Sequence, residues 1–216
     1  NSNIKIDILY EDEWLLIVNK QAFIPVHPCM DCYEGSLSNG VKYYFDTHNI
    51  NKKIRIVNRL DKNTTGIVIF AKSEYIQESL INYQKEYVAI VEGTLTGEGI
   101  INEPISRKDK SIIERCVSVD GQTAITEYKA IKNFTINNTK LSLVKCILKT
   151  GRTHQIRVHM SYINYPLVGD SLYGQKSNLI ERQALHAYHI QFTHPVTRQV
   201  IDITALIPKD MENLIK

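Results

Sequence analysis

Five apolar runs constrain any fold of this chain: "IKIDILY" (4 to 10), "WLLIVNK" (14 to 20), "GIVIFAK" (66 to 72), "EYVAIVEG" (86 to 93) and "KLSLVKCIL" (140 to 148). They alternate with period two or run continuously over a strand's length, so they read as strands. None approaches the roughly 18 uninterrupted apolar residues that a membrane-spanning helix requires. Helical spacing is confined to shorter stretches. Leu37, Val41, Tyr44 and Phe45 recur on one face of "SLSNGVKYYFDTH", and Ser73 stands where it caps a helix carrying Ile76, Leu80 and Tyr83. Turn residues in "GTLTGEG" (93 to 99) and "VDGQT" (119 to 123) predict hairpins. The expected architecture is α+β, a mainly antiparallel mixed β-sheet with flanking helices, in one domain over 1-216. No repeat, low-complexity tract or long linker divides it.

With 216 residues and 43% apolar content, the chain is long enough to bury its own core. Its opening, "NSNIKIDILYEDEW", has neither a charged leader nor a signal-like apolar block, which predicts a cytoplasmic protein without a membrane partner. The cysteines, Cys29, Cys32, Cys116 and Cys146, are too few for a disulfide framework and fit a reducing compartment. Cys29 and Cys32 in "HPCMDC" have the spacing of a zinc knuckle or a redox pair, but only His27 stands nearby as a third ligand. His154 and His159 would lie about 140° apart on a helix, a poor arrangement for sharing a metal. No metal site is expected. Neither a phosphate-binding glycine loop nor a Ser-His-Asp set is legible, so nucleotide-triphosphate chemistry is not indicated.

The net charge of +3 conceals a strong asymmetry. From Tyr128 to Gly169 there is no Asp or Glu, while Lys129, Lys132, Lys140, Lys145, Lys149, Arg152 and Arg157 all fall there. Lys52, Lys53, Arg55, Arg59 and Lys62 form a second cluster. Uneven basic charge of this kind favours a polyanionic partner. The segment "TGRTHQIRVHMSYINYP" (150 to 166) fits both strand and helix periods, and its length, with Thr153 as cap and Pro166 as stop, selects a helix. That places His154, Arg157 and Ser161 on one face.

One acid sits among these cations. In "NRLDKNTTGIVIFAKS", which begins at Asn58, Asp61 stands between Arg59 and Lys62 in a polar turn that leads into an apolar strand. A surface ion pair would account for it. So would a carboxylate held half in a cleft, kept ionised by nearby cations and available as nucleophile or base. No second carboxylate accompanies it, so a two-acid glycosidase arrangement is not indicated.

Arg59-Leu60-Asp61-Lys62-Asn63-Thr64-Thr65-Gly66 resembles the Arg-Leu-Asp-x-x-Thr-Ser-Gly turn of the RluA-type pseudouridine synthases. The resemblance covers nearly the whole chain. "ILYEDEWLLIVNK" is similar to the family's opening hairpin, "KEYVAIVEG" to its tyrosine-bearing strand and "DGQTAITEYKAI" to its central hairpin. "KTGRTHQIRVHMSYINYPLVGDSLYG" resembles its second signature and "ALHAYHIQFTHPVT" its closing strand. The resemblance implies a single pseudouridine synthase catalytic domain, with no S4-like domain in this chain. The implied activity is isomerisation of uridine to pseudouridine, in which the base is cut from C1′ and rejoined through C5, with no cofactor. The implied partner is structured RNA, with 23S ribosomal RNA favoured over transfer RNA, and the implied state is a monomer. An inactive RNA-binding or RNA-folding protein on the same scaffold is the alternative.

By the same resemblance Asp61 is the catalytic carboxylate, Tyr87 packs against the flipped uracil and Arg157 pairs with the carboxylate. Arg59 is the residue that inserts beside the flipped nucleotide. Lys62, Arg152, His154 and Gln155 complete the expected RNA-binding set. Three departures from the family pattern stand out. Asn58 replaces the usual His, Thr65 the usual Ser, and Gln21 and Phe23 stand where Pro and Gly are common. Asn58 and Thr65 can still hydrogen-bond, so activity is expected to survive, whereas the loop at Gln21 to Phe23 is expected to differ in shape.

Overall fold

The strand-forming runs find their partners across long stretches of sequence. The computed structural model describes residues 4–28, 33–80 and 83–216. Its elements begin with β1 (Asp7–Glu11), β2 (Leu15–Lys20), α1 (Leu37–Thr47), β3 (Arg55–Ile56), β4 (Thr65–Ala71) and α2 (Glu74–Ser79). Next are β5 (Gln84–Glu92), β6 (Glu98–Asn102), β7 (Ile105–Arg107), β8 (Arg115–Val117), β9 (Ile125–Ile136), β10 (Thr139–Leu148) and α3 (Gln155–Tyr162). The last are β11 (Leu185–Thr193), β12 (Val200–Thr204) and α4 (Lys209–Ile215). They form two units, Asn1–Tyr83 with Ala187–Leu206, and Gln84–His186 with Ile207–Lys216.

In the first unit the strands follow the order β1-β2-β4-β11, with β12 on β11 and β3 on β4. β2 and β4 are antiparallel in unbroken register, from Leu15 opposite Ala71 to Lys20 opposite Gly66. Every residue of β4 is buried, which explains why "TGIVIFA" reads as a continuous apolar run rather than an alternating one. Leu15, Ile17, Ile67, Ile69, Ile76 and Leu80 pack with Ile190, Phe192 and Ile201. Both expected helices are present, but α2 ends at Ser79, so Leu80 is its C-cap and Tyr83 falls outside it. α1 opens with a capping box in which Ser36 Oγ accepts from Asn39 N–H while Asn39 Oδ1 accepts from Ser36 N–H. Ser73 Oγ accepts the Ile76 N–H and starts α2, as expected.

In the second unit the order is β5-β10-β9-β6, and β7 and β8 form a separate two-stranded ribbon. The β9–β10 hairpin turns over Asn137 and Asn138, whose φ values of 49° and 65° are the left-handed pair of a tight hairpin. Arg182, with no exposed side-chain surface, holds α4: Nε and Nη2 donate to Asp210 at 2.7 and 3.0 Å. Its Nη1 donates to the carbonyls of Gln183 and Leu185.

Three local expectations differ from the structure. "GTLTGEG" does not close a hairpin, because β5 pairs with β10 and β6 with β9. "VDGQT" does turn, with Gly121 N–H on Ser118 O at 2.9 Å, but it joins β8 to β9, which do not pair; Gln122 instead bridges Ile105. Burial of distant strands outweighs the turn residues in choosing partners. The 150-to-166 segment is helical as expected, yet its N-cap is His154 in the left-handed region (φ 58°), not Thr153. The His154 side chain is held instead by the Tyr173 hydroxyl at 2.7 Å.

Cys29 and Cys32 lie outside the described residues. Among the described residues, no group of three or more His, Cys, Asp or Glu side chains is placed to hold a metal, and no helix is long and apolar enough to cross a membrane.

Gly66 is the tightest point of the first unit. A Cβ there would lie 2.2 Å from the Ala187 carbonyl oxygen and 2.6 Å from its nitrogen, and its φ of 113° is open to glycine alone. Gly66→Ala is therefore expected to cost about 3 kcal/mol from backbone strain and clash together. For a chain of this size that lowers the melting temperature by roughly 5–10 °C. Thermal unfolding followed by circular dichroism checks it; an unchanged transition would contradict the close approach.

Candidate active site

The Asp61 turn is held to neighbouring backbone by the side chains of Asn58 and Lys20. Asn58, just before it, lies against β4: Nδ2 donates to Ile67 O at 3.0 Å and Oδ1 accepts from Ile69 N–H at 2.8 Å. One amide thus substitutes for two rungs of strand pairing, a role for which its donor and acceptor suffice without a histidine ring. Leu60, Thr64 and Thr65 are buried, and Thr64 N–H closes the turn onto Asp61 O at 3.0 Å. Asp61 itself is half-buried between exposed Arg59 and Lys62.

Lys20, at the end of β2, is a residue that the strand pattern gave no reason to single out. Only 1% of it is exposed, and its Nζ donates to the carbonyls of Gln21, Ile24 and Lys62 at 2.8 to 2.9 Å. A buried ammonium is stable only with its donors satisfied, so the charge ties the 21-to-24 loop to the Asp61 turn. In that loop Phe23 has φ 65° and is 50% exposed. The backbone therefore keeps the left-handed form that glycine permits, although a bulky aromatic occupies the position.

In the second unit Tyr87 sits on β5 opposite Cys146, with 8% of its surface exposed. Burial pushes the Cys146 thiol up to about 12, which leaves it protonated and unreactive at neutral pH. Arg157 on α3 is buried and paired bidentately, with Nε on Asp170 Oδ2 at 2.7 Å and Nη2 on Asp170 Oδ1 at 2.8 Å. Asp170 Oδ1 also accepts from Leu172 N–H and Tyr173 N–H. The expected face of α3 is realised on one residue, Tyr173: His154 bonds its hydroxyl, the Arg157 guanidinium lies 5.0 Å from its ring centroid, and Ser161 Oγ donates to its carbonyl. Asp170 and Tyr173 both fall in "GDSLYG", inside the second signature, where spacing alone offers no clue to their partner.

Gln155 is 2% exposed, and its amide is used at both ends, accepting from Thr150 Oγ1 and Arg152 N–H while donating to Ile125 O and Thr126 Oγ1. Beside it, burial lowers the His159 imidazole below its ordinary value. The neutral ring donates from Nε2 to Glu103 O and accepts from Thr126 at Nδ1. Arg152 is exposed, and its Nε donates to Thr123 O.

The basic run of the sequence is largely neutralised in three dimensions. Lys129 pairs with Glu98, Lys145 with Glu86 and Lys149 with Glu127, all at 3.1 to 3.2 Å, and Lys132 Nζ donates to Ile215 O. These acids come from neighbouring strands, so a sequence window free of Asp and Glu did not mean a surface free of them. Near Asp61 the outcome is different. Arg55 reaches Glu74, but Arg59, Lys62, Lys52 and Lys53 are exposed and make no ion pair among the described residues.

A carboxylate fixed in a turn, flanked by uncommitted cations, suits acid–base or nucleophilic work beside a polyanion. Residues 14–162 match the family described as RNA pseudouridylate synthase. YjbO of Bacillus subtilis, named as an uncharacterized RNA pseudouridine synthase, is 41% identical over 99% of this chain and 76% of its own length. Ribosomal large subunit pseudouridine synthase D of Blochmanniella floridana is 38% identical over 99% of this chain and 73% of its own. The solved structure of Human RNA Pseudouridylate Synthase Domain Containing 1 shares the fold, with a TM-score of 0.77 at 22% identity over 95% of this chain and 85% of that one. With sequence match, fold and motif in agreement, the chain belongs to the RNA pseudouridylate synthase family, the isomerases that convert uridine in RNA to pseudouridine.

Proposed function

We propose that this isomerase acts on large-subunit ribosomal RNA and that Asp61 is its catalytic carboxylate. The observation that carries the reading is the Asp61 turn, pinned by buried Leu60 and Thr64 and flanked by Arg59 and Lys62, whose charges no carboxylate among the described residues neutralises. The choice of RNA rests on the relatives named ribosomal large subunit pseudouridine synthase D.

The target uridine must first leave its stack, at a cost of a few kcal/mol. Phosphate contacts by Arg59 and Lys62 offset part of that cost, and the Arg59 guanidinium can stack where the base has left. Tyr87 presents an aromatic face to the flipped uracil. Asp61 then adds to the nucleotide or takes a ribose proton, either of which a carboxylate can do. The C1′–N1 bond breaks, the retained uracil turns and C1′ bonds to C5; the C5 hydrogen then leaves as a proton, N1 takes one up and Asp61 returns to its starting form, so the nucleotide gains and loses no atoms overall. On the family resemblance Arg157 is assigned to orienting the catalytic carboxylate, and Asp170 holds Arg157 through the bidentate pair. Arg152 and His154 contribute to RNA binding, and Gln155 supports that region from inside the fold.

Pseudouridine mapping on unmodified ribosomal and transfer RNA transcripts tests the reading. Asp61→Asn is expected to lose turnover by at least about 100-fold with RNA affinity nearly unchanged. Normal turnover by that variant would remove Asp61 from the chemistry, and product on transfer RNA alone would replace the substrate. Asp170→Asn removes the negative charge from the buried bidentate pair that holds Arg157, so we expect a destabilisation of about 3 kcal/mol. In the folded fraction kcat should fall by roughly 100-fold through misplacement, with KM little changed. A change confined to KM would make Asp170 a binding residue instead.

A further inference from the structure

The β7–β8 ribbon sets Arg107 directly opposite Arg115 in the antiparallel register. Like charges facing each other across two strands are unfavourable. Glu114, next to Arg115 in the chain, does not relieve them, because its carboxylate is taken by Lys108 at 3.0 Å. The third cation is Arg152, from the loop before α3. The three arginines, with Asp120, Gly121 and Gln122, line one polar cleft of about 320 Å³. None of the three makes an ion pair among the described residues: Arg115 donates to the carbonyls of Ile113 and Glu114, Arg152 to that of Thr123, and the Arg107 side chain to no group.

The cleft is built on fixed parts. Gly121 packs so closely that a Cβ there would lie 2.6 Å from the Ile105 carbonyl carbon, and Ile105 and Gln122 exchange two backbone hydrogen bonds of 2.9 Å. Arg115 N–H donates to the Tyr173 hydroxyl at 2.8 Å, which anchors the ribbon to the residue that also carries His154 and Arg157.

We propose that this cleft binds a backbone phosphodiester of the substrate RNA between Arg107 and Arg115, with Arg152 as the third donor. The proposal rests on RNA being the substrate. Planar guanidinium forks match phosphate oxygens, and an anion between facing arginines turns their repulsion into attraction. Asp120, the cleft's carboxylate, repels phosphate oxygens but accepts from a ribose hydroxyl, so it orients a ribonucleotide. A phosphate seated here would hold the RNA against the ribbon that Tyr173 joins to Arg157.

The test is equilibrium binding of an unmodified 23S ribosomal RNA transcript across a KCl series, with pseudouridine formation measured on the same transcript. Arg107→Gln/Arg115→Gln is compared with wild type and with Lys42→Gln/Lys209→Gln, which removes the same charge elsewhere. The arginine pair is expected to lower affinity roughly ten-fold and to make the log–log salt slope shallower by about one, with turnover at saturating RNA unchanged. A wild-type slope and affinity in that variant would overturn the proposal, as would an equal loss in the lysine control. The two readings fail separately. Absence of pseudouridine from the wild type, with the slope change intact, removes only the proposed substrate and leaves the cleft. Pseudouridine with an unchanged slope removes only the cleft.

Discussion

The Lys20 ammonium, buried at the end of β2, organises the first unit. An unpaired ammonium away from water costs several kcal/mol, so the fold must bring carbonyl oxygens to it. Gln21 and Ile24 supply two from the adjoining loop, and Lys62 supplies a third from the Asp61 turn. One charge thereby ties together two loops at the adjoining ends of β2 and β4. The Asn58 side chain, bonded to the β4 backbone, and the Gly66 contact with Ala187 hold the other side of the turn. Placement of Asp61 is thus the sum of a buried charge, a side-chain amide and a missing Cβ.

The second unit solves a similar problem differently. Arg157 is held by a full bidentate carboxylate, whose spare lone pairs are met by backbone N–H groups of residues 172 and 173. A buried pair satisfied in this way gains geometric definition more than net stability. Its rigidity extends through Tyr173 to His154, Ser161 and the β7–β8 ribbon.

The strands were legible in the sequence because their signal is local: "GIVIFAK" is apolar throughout since β4 is buried throughout. The helix start at Ser73 was legible for the same reason, as its cap acts within three residues, whereas the Ser36 cap of α1 was not singled out. Strand pairing was not. "GTLTGEG" has hairpin composition, yet β5 and β6 take other partners, because burial of whole faces exceeds any preference of a turn. The Asp61 motif was visible in contiguous residues, whereas Lys20 and Asp170 act on groups far along the chain and carried no mark of it. Charge was the least legible property. Lys129, Lys145 and Lys149 look unopposed in one dimension and are opposed in three, so uncommitted cations concentrate around Asp61 and the arginine ribbon.

The chain completes the first unit only after passing through most of the second, since Ala187–Leu206 returns to it once Gln84–His186 has been laid down. Ile190, Phe192, Ile201 and Ala205 are part of the first unit's core, and Ala187 is the residue against which Gly66 closes. During synthesis the signature turn emerges early but lacks the strand that packs it. A nascent chain carrying Asp61 therefore lacks one strand of the site's support: β3 and Asn58 can cover part of β4, but its pairing with β11 waits until β11 arrives. Vectorial folding cannot finish this unit from residue 83 backward alone, and packing of the Asp61 turn waits on Ala187–Leu206.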